Sequence, residues 1–169
     1  MSRAFVKEGD GDDGNDLPER PVPTHANYVT ARGLAQLQAR AQALAREHEM
    51  LTGDDPDVKR RRREVERDQR YVKAQLERAQ RVEPDATPSA TLGVRFGDTV
   101  EVADEHGERL RYRIVGDDEA DAAHGDISWA SPLGKALLGA RVGDVVTWRR
   151  PMGAVEIEVI SCGVDVAKP

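Results

Sequence analysis

Residues 30–58 read TARGLAQLQARAQALAREHEMLTGDDPDV, and this stretch decides the fold. Thr30 is an N-cap type residue ahead of Leu34, Leu37, Ala41, Leu44, His48 and Leu51. Their spacings of three and four make a heptad seam with one polar member. Gly53 follows as a glycine should just past a helix end. Asp55 and Pro56 then supply an N-cap and a proline at the first helical position, where its missing N–H costs nothing. Val58, Val65, Val72 and Ala79 recur every seven residues, with Arg62, Gln69 and Leu76 as a weaker second seam row, and Pro84 and Pro88 close the segment. The spacing predicts an antiparallel coiled-coil hairpin over residues 30–83. Its first helix, of roughly 21 residues, would be about 31 Å long. Two helices enclose little core, so the hairpin should protrude from, and be anchored by, the segment C-terminal to it.

Downstream of a linker at 84–92 the period changes from helix to strand. Val94, Phe96, Val100 and Val102 alternate; Glu105-His106-Gly107 reads as a hairpin turn; Leu110, Tyr112 and Ile114 return to Gly116-Asp117-Asp118. Ile127 to Ala130 is short and apolar, Pro132 to Leu138 is one short helix stopped by Gly139, and Val145 to Trp148 and Val155 to Val159 are two further strands around Pro151-Met152-Gly153. Residues 93–165 are therefore expected to form a mostly antiparallel β domain with one short helix. The fold class is α+β.

Upstream, residues 1–29 read as a flexible acidic and proline-rich arm. Asp10, Asp12, Asp13 and Asp16 stand among glycines, Pro18, Pro21 and Pro23 follow, and Phe5 and Val6 are the only apolar hook near the start. A solvated tail and a partner-binding arm both fit it. The chain of 169 residues has a net charge of −6, so any nucleic-acid contact must be local. Aromatic content of 4% leaves the core to Val, Leu, Ile and Ala. The single cysteine, Cys162, excludes an internal disulfide and a cysteine-rich zinc site. With neither an apolar signal core nor a membrane-length apolar run, the chain reads as soluble and cytoplasmic.

Five ordered blocks of the C-terminal part resemble the GreA/GreB family of bacterial transcription elongation factors. They are Phe96-Gly97-Asp98-Thr99-Val100; Tyr112-Arg113-Ile114-Val115-Gly116-Asp117-Asp118-Glu119-Ala120-Asp121; Ile127-Ser128 with Ser131-Pro132-Leu133-Gly134-Lys135-Ala136-Leu137-Leu138-Gly139; Val142-Gly143-Asp144-Val145-Val146; and Glu156-Ile157-Glu158-Val159-Ile160. Tyr28-Val29-Thr30-Ala31-Arg32-Gly33-Leu34 is similar to the family's helix start, and Ala45-Arg46-Glu47-His48 to the stretch before its tip. The resemblance implies a coiled-coil hairpin followed by an FKBP-like domain. It implies an accessory factor, not an enzyme, that docks on RNA polymerase through Ser131, Pro132 and Leu133 with Asp118 and Glu119 nearby. The hairpin would enter the polymerase secondary channel, meet nascent RNA indirectly, and share Mg²⁺ with the polymerase through tip carboxylates so that backtracked RNA is cleaved. A monomer with no membrane association is expected.

The tip departs from the family. The pattern Gly-Asp-Leu-Ser-Glu-Asn-Ala-Glu-Tyr is replaced by Met50-Leu51-Thr52-Gly53-Asp54-Asp55-Pro56-Asp57-Val58, and the hairpin is roughly ten residues shorter, more than one turn of about 5.4 Å per helix. A cleavage-stimulating factor and a channel-binding regulator without cleavage activity both stay open. Asp54, Asp55 and Asp57 have the oxygen chemistry of Mg²⁺ ligands; as plain structure, Asp55 caps the second helix and Asp57 favours its positive end. Lys59, Arg60, Arg61 and Arg63, together with Arg62, suit RNA or channel phosphates, or a solvated helix neutralised by Glu64, Glu66 and Asp68. At 100° per residue this run wraps the helix, so some members must face the seam. His25, His48, His106 and His124 lack ligand spacing, and Cys162 reads as an inert thiol in the last strand. A prolyl isomerase is the alternative from another class, but such a pocket needs clustered aromatics, and the segment offers only Phe96, Tyr112, Trp129 and Trp148.

Overall fold

The Thr30 hydroxyl accepts from the Gly33 amide at 3.0 Å and starts the first helix, as its residue type predicts. The structure, a computed structural model, describes residues 17–83 and 92–164. The acidic run before residue 17 and most of the expected linker lie outside the described residues. Helix α1 spans Ala31–Met50 and α2 spans Pro56–Arg78, 20 and 23 residues, or about 30 and 35 Å. Leu44, Val65, Tyr71 and Val72 close the hairpin core, with Ala41, Leu51 and Leu76 packed around them. Two polar seam residues serve the backbone. The Arg62 guanidinium donates to the Leu51 carbonyl, one of the orphaned acceptors at the end of α1, and Gln69 Nε2 donates to the Leu44 carbonyl at 3.3 Å. Arg62→Ala is expected to fray the last turn of α1 and cost about 1 kcal/mol, read by urea unfolding followed through helical circular dichroism.

The hairpin ends earlier than its heptads suggest. Strand β1, Asn27–Val29, pairs in parallel with β2, Ala79–Arg81, so Ala79 is the α2 cap and not a seam residue. Asn27 Nδ2 takes the Gln75 carbonyl at 2.8 Å, and the Arg78 guanidinium takes the His25 carbonyl. These contacts turn the last residues of the hairpin into sheet. They also correct the arm expected over residues 1–29. Its described part, 17–29, is packed against the hairpin: Arg20 lies 3.9 Å over the Tyr71 ring and 3.6 Å from Asp68, and Glu19 pairs with Arg70.

The C-terminal part is a five-stranded sheet. Strands β3 (Asp98–Asp104), β4 (Arg109–Val115), β5 (Asp126–Ser128), β6 (Val145–Arg150) and β7 (Gly153–Val164) lie in the order β5-β4-β3-β7-β6. Only β4 and β5 pair in parallel. Helix α3, Pro132–Leu137, starts on Ser131, whose hydroxyl accepts from the Gly134 amide at 3.0 Å. Val100, Val102, Ile114, Leu133, Leu137, Ile157 and Val159 fill the core, which is aliphatic as the low aromatic content requires. Val94 lies before β3, held by reciprocal backbone bonds with Gly139 and Ala140. The α+β expectation holds, and this core shares no residue with that of the hairpin.

Candidate functional site

The joint between prong and base is built from three consecutive acids in a 3-10 turn, Asp117–Glu119. Glu119 has a side chain only 2% exposed. It accepts from the Thr30 amide at 3.0 Å, from the Thr30 hydroxyl and from the Gly116 amide at 3.3 Å, with Arg32 at 3.7 Å. Gly33 makes room for it, since a Cβ there would lie 2.1 Å from the Glu119 carboxyl carbon. Asp118 accepts from Tyr71 Oη at 2.9 Å and from Gln75 Nε2 at 2.6 Å. Burial first, then that hydrogen bond, pushes the Tyr71 phenol up to about 12. Asp117 meets His25 and the Ser128 hydroxyl. Asp118 and Glu119, expected near the dock, are both bonded within the chain, where they tie α1 and α2 to the β domain. Arg32 also reaches Asp126 at 2.6 Å, and that bond raises its already high pKa.

Beside this joint an open groove of about 1140 Å³ runs along the sheet. Ser131, Pro132 and Leu133 form one wall, and Tyr112, Ile127, Trp148, Pro151 and Met152 bring apolar surface from elsewhere in the chain. Leu133 is 4% exposed and belongs to the core, so Ser131 and Pro132 are the accessible members of the expected trio. Met152, 96% exposed in the turn between β6 and β7, is the part that sequence reasoning missed; its isolation in a Pro-Met-Gly turn was the available signal.

At the far end, Asp55 Oδ1 accepts from the Asp57 amide at 2.9 Å and caps α2. Asp54 faces Lys59 at 3.3 Å and Asp57 faces Arg60 at 2.9 Å, with the two carboxylate side chains 97% and 81% exposed. The oxygen donors suit Mg²⁺, but among the described residues no three His, Cys, Asp or Glu side chains converge on a metal position. The tip does not fit a resident ion of this chain. The basic run diverges as helical geometry demands. Arg61 sits between Glu47 and Glu64 at 2.7 and 2.9 Å, and those hydrogen bonds raise its pKa. Arg62 turns to Leu51, and Arg63 is half-buried, its Nε lacking a hydrogen-bond partner among the described residues.

Elsewhere, His48 pairs with Glu66 and His124 with Asp121, while His106 lies 3.6 Å from Glu105. Cys162 is half-buried, and burial pushes its thiol pKa up. Among the described residues no helix is long and apolar enough to cross a membrane.

Comparison with known proteins bears on this arrangement. Residues 90–163 match the family described as transcription elongation factor GreA/GreB, C-terminal. Transcription elongation factor GreB of Neisseria meningitidis serogroup B is 44% identical over 109 residues, covering 64% of this chain and 66% of that protein. GreA of Pseudomonas aeruginosa is 45% identical over 92 residues, covering 54% and 58%. The chain thus spans 66% and 58% of the length of these two relatives. Among solved structures, the GreA factor homolog 1 (Gfh1) protein of Thermus thermophilus gives a TM-score of 0.39 at 28% identity, covering 82% of this chain and 99% of that one. GreA/GreB from Nitrosomonas europaea gives 0.41 at 23%, covering 82% and 98%. Superpositions at that level add nothing to the sequence matches. The family match runs through the β domain and the groove it carries, and the C-terminal part of the chain, residues 90–163, belongs to the GreA/GreB transcription elongation factor family.

Proposed function

We propose that the protein binds bacterial RNA polymerase, seats its groove on the rim of the secondary channel and extends the hairpin into that channel. The observation that carries this reading is the pairing of a hairpin with its own separate core and a base that bears an accessible apolar groove. A small number of large apolar side chains in a pocket is what a protein interface needs at its centre. The Glu119 joint supports the same reading, because a prong locked to its base transmits the docked orientation to the tip. The protein acts as a cytoplasmic monomer, meets nascent RNA only through the polymerase, and leaves any chemistry to the polymerase.

Channel occupancy without cleavage is the effect the tip favours. Asp55 is spent on a cap, Asp54 and Asp57 face cations, and the prong is short. A second reading, cleavage of backtracked RNA in the polymerase's own active site, keeps one supporting observation. Asp54 is 97% exposed, and its surface pair with Lys59 holds it by less than about 1 kcal/mol. Stalled, backtracked complexes separate the two. Occupancy predicts that added protein displaces another channel ligand while the RNA keeps its length. Mg²⁺-dependent shortening that disappears when Asp54, Asp55 and Asp57 are all changed to Ala would establish the second reading. Failure to co-purify with polymerase would remove both.

A further inference from the structure

The outer face of the sheet carries a polar row that the core does not use. Side chains alternate across a strand, so Arg109, Arg111 and Arg113 of β4 share that face. Strand register sets Thr99 of β3 beside Arg113, Gly163 of β7 beside Thr99, and Asp126 of β5 on the other side of Arg113. Two polar atoms in this row, Arg113 Nε and Thr99 Oγ1, are shut off from solvent with no hydrogen-bond partner among the described residues. The nearby carboxylates are held by other cations. Asp126 goes to Arg32 at 2.6 Å, Glu101 to Arg109 at 2.9 Å and Glu83 to Arg81 at 2.6 Å.

Both residues border open space. Arg113 lines a hollow of about 250 Å³ at the joint, with Thr30 and Arg32 of the prong on one side and Phe96 and Val164 of the base on the other. Thr99 lines a second hollow of about 320 Å³ with Arg111, Ser161 and Gly163, and Val164 belongs to both walls. Gly163 leaves the space beside Thr99 clear, since even a Cβ there would meet nothing within 4 Å. The size of the joint hollow falls below the roughly 300–1,000 Å³ of drug-sized sites, which suits a small ligand.

A guanidinium N–H shut away without an acceptor costs free energy that an anion would return. Its planar fork matches the oxygens of carboxylate and phosphate alike. A carboxylate offers two oxygens in one plane. A tetrahedral phosphate offers oxygens on several sides, which suits donors that arrive from β3, β4 and the start of α1. The Thr30 amide is already given to Glu119, so the arginines carry the attraction and the helix end does not.

We propose that Arg113 and Thr99 form a binding site for a phosphate group, free or carried on a small ester, and that the bound group ties the foot of the prong to the base. The inference stands whether or not the protein binds polymerase, and its test uses the free, full chain.

Isotope-labelled protein titrated with inorganic phosphate, at constant ionic strength against chloride, reports the site. Amide signals of Thr99, Arg113 and Gly163 and the Arg113 Nε–H signal should move and saturate, and the thermal midpoint should rise with phosphate. Arg113→Met should lower phosphate affinity at least about tenfold, while in phosphate-free buffer its midpoint matches or exceeds that of the unaltered chain. Arg113→Lys keeps the charge but loses the fork, so it should fold and bind phosphate with an intermediate affinity. Arg109→Met is the control on the same strand and should leave affinity unchanged. Adenosine monophosphate separates the two sources: tighter binding than phosphate assigns the site to an ester, equal or weaker binding to the free ion. Signal changes that chloride reproduces, that never saturate, or that persist undiminished in Arg113→Met would overturn the proposal.

Discussion

Replacing Glu119 with Ala is expected to destabilise the protein by about 3 kcal/mol and to free the prong from its base. The carboxylate is 2% exposed and serves the Thr30 amide, the Thr30 hydroxyl and the Gly116 amide while facing Arg32. Charge-assisted bonds of this kind contribute about 1.5–3 kcal/mol each, but amides left behind at the edge of a joint regain some water, so the sum falls short of additive. Gly33→Ala should reach the same state from the other side. Alanine is the better helix former by about 1 kcal/mol, yet its Cβ would lie 2.1 Å from the Glu119 carboxyl carbon and evict it. The sign of that substitution therefore tests the joint: a structure without it predicts stabilisation, this one predicts a loss of about 2 kcal/mol. With both changes made, the cost should stay near that of Glu119→Ala alone, because one shared interaction can be lost only once. Denaturant unfolding followed through the helical signal reads all three variants; additive costs would contradict a shared joint.

Met152→Asp is expected to weaken polymerase binding at least tenfold, about 1.4 kcal/mol or more, with stability unchanged. The side chain is 96% exposed, so nothing in the fold depends on it, while a carboxylate there would have to be desolvated in an apolar contact. Val145→Asp is the matched control. Val145 is 60% exposed on β6 but does not line the groove, so its substitution should leave affinity unchanged. Trp148→Ala should be more severe, though Trp148 also packs against Tyr112 and beneath Arg150, and its effect on folding must be measured alongside. Equal losses from Met152→Asp and Val145→Asp would indicate a charge effect on the whole domain and not a docking groove.

Much of the hairpin can be read from the chain because its determinants are local. Thr30, Asp55 and Pro56 act within a few residues of their own positions, and the valine heptad of α2 needs only helical geometry to find its partner. What local patterns hide is what arrives from far away. Ala79-Gln80-Arg81 has no strand character of its own; it becomes a strand because Asn27–Val29 lies beside it. Asp118 and Glu119 read as neighbours of a docking loop, and nothing near Glu119 announces that Thr30, 89 residues away, will bury it. Gly33 in the first turn of a helix carries no local sign of the carboxylate it accommodates. Arg62 in a seam reads as a defect, whereas it caps a carbonyl of the other helix. The groove is hidden for the same reason, since Tyr112, Ser131 and Met152 meet only once the sheet has formed.

A photo-crosslinking residue at Thr52, in the turn between α1 and α2, tests the prong-in-channel account most directly. In complex with core polymerase it should crosslink to residues lining the secondary channel, and the signal should fall sharply in the Met152→Asp background. Crosslinks confined to the outer surface of a polymerase that still binds the protein would contradict the account.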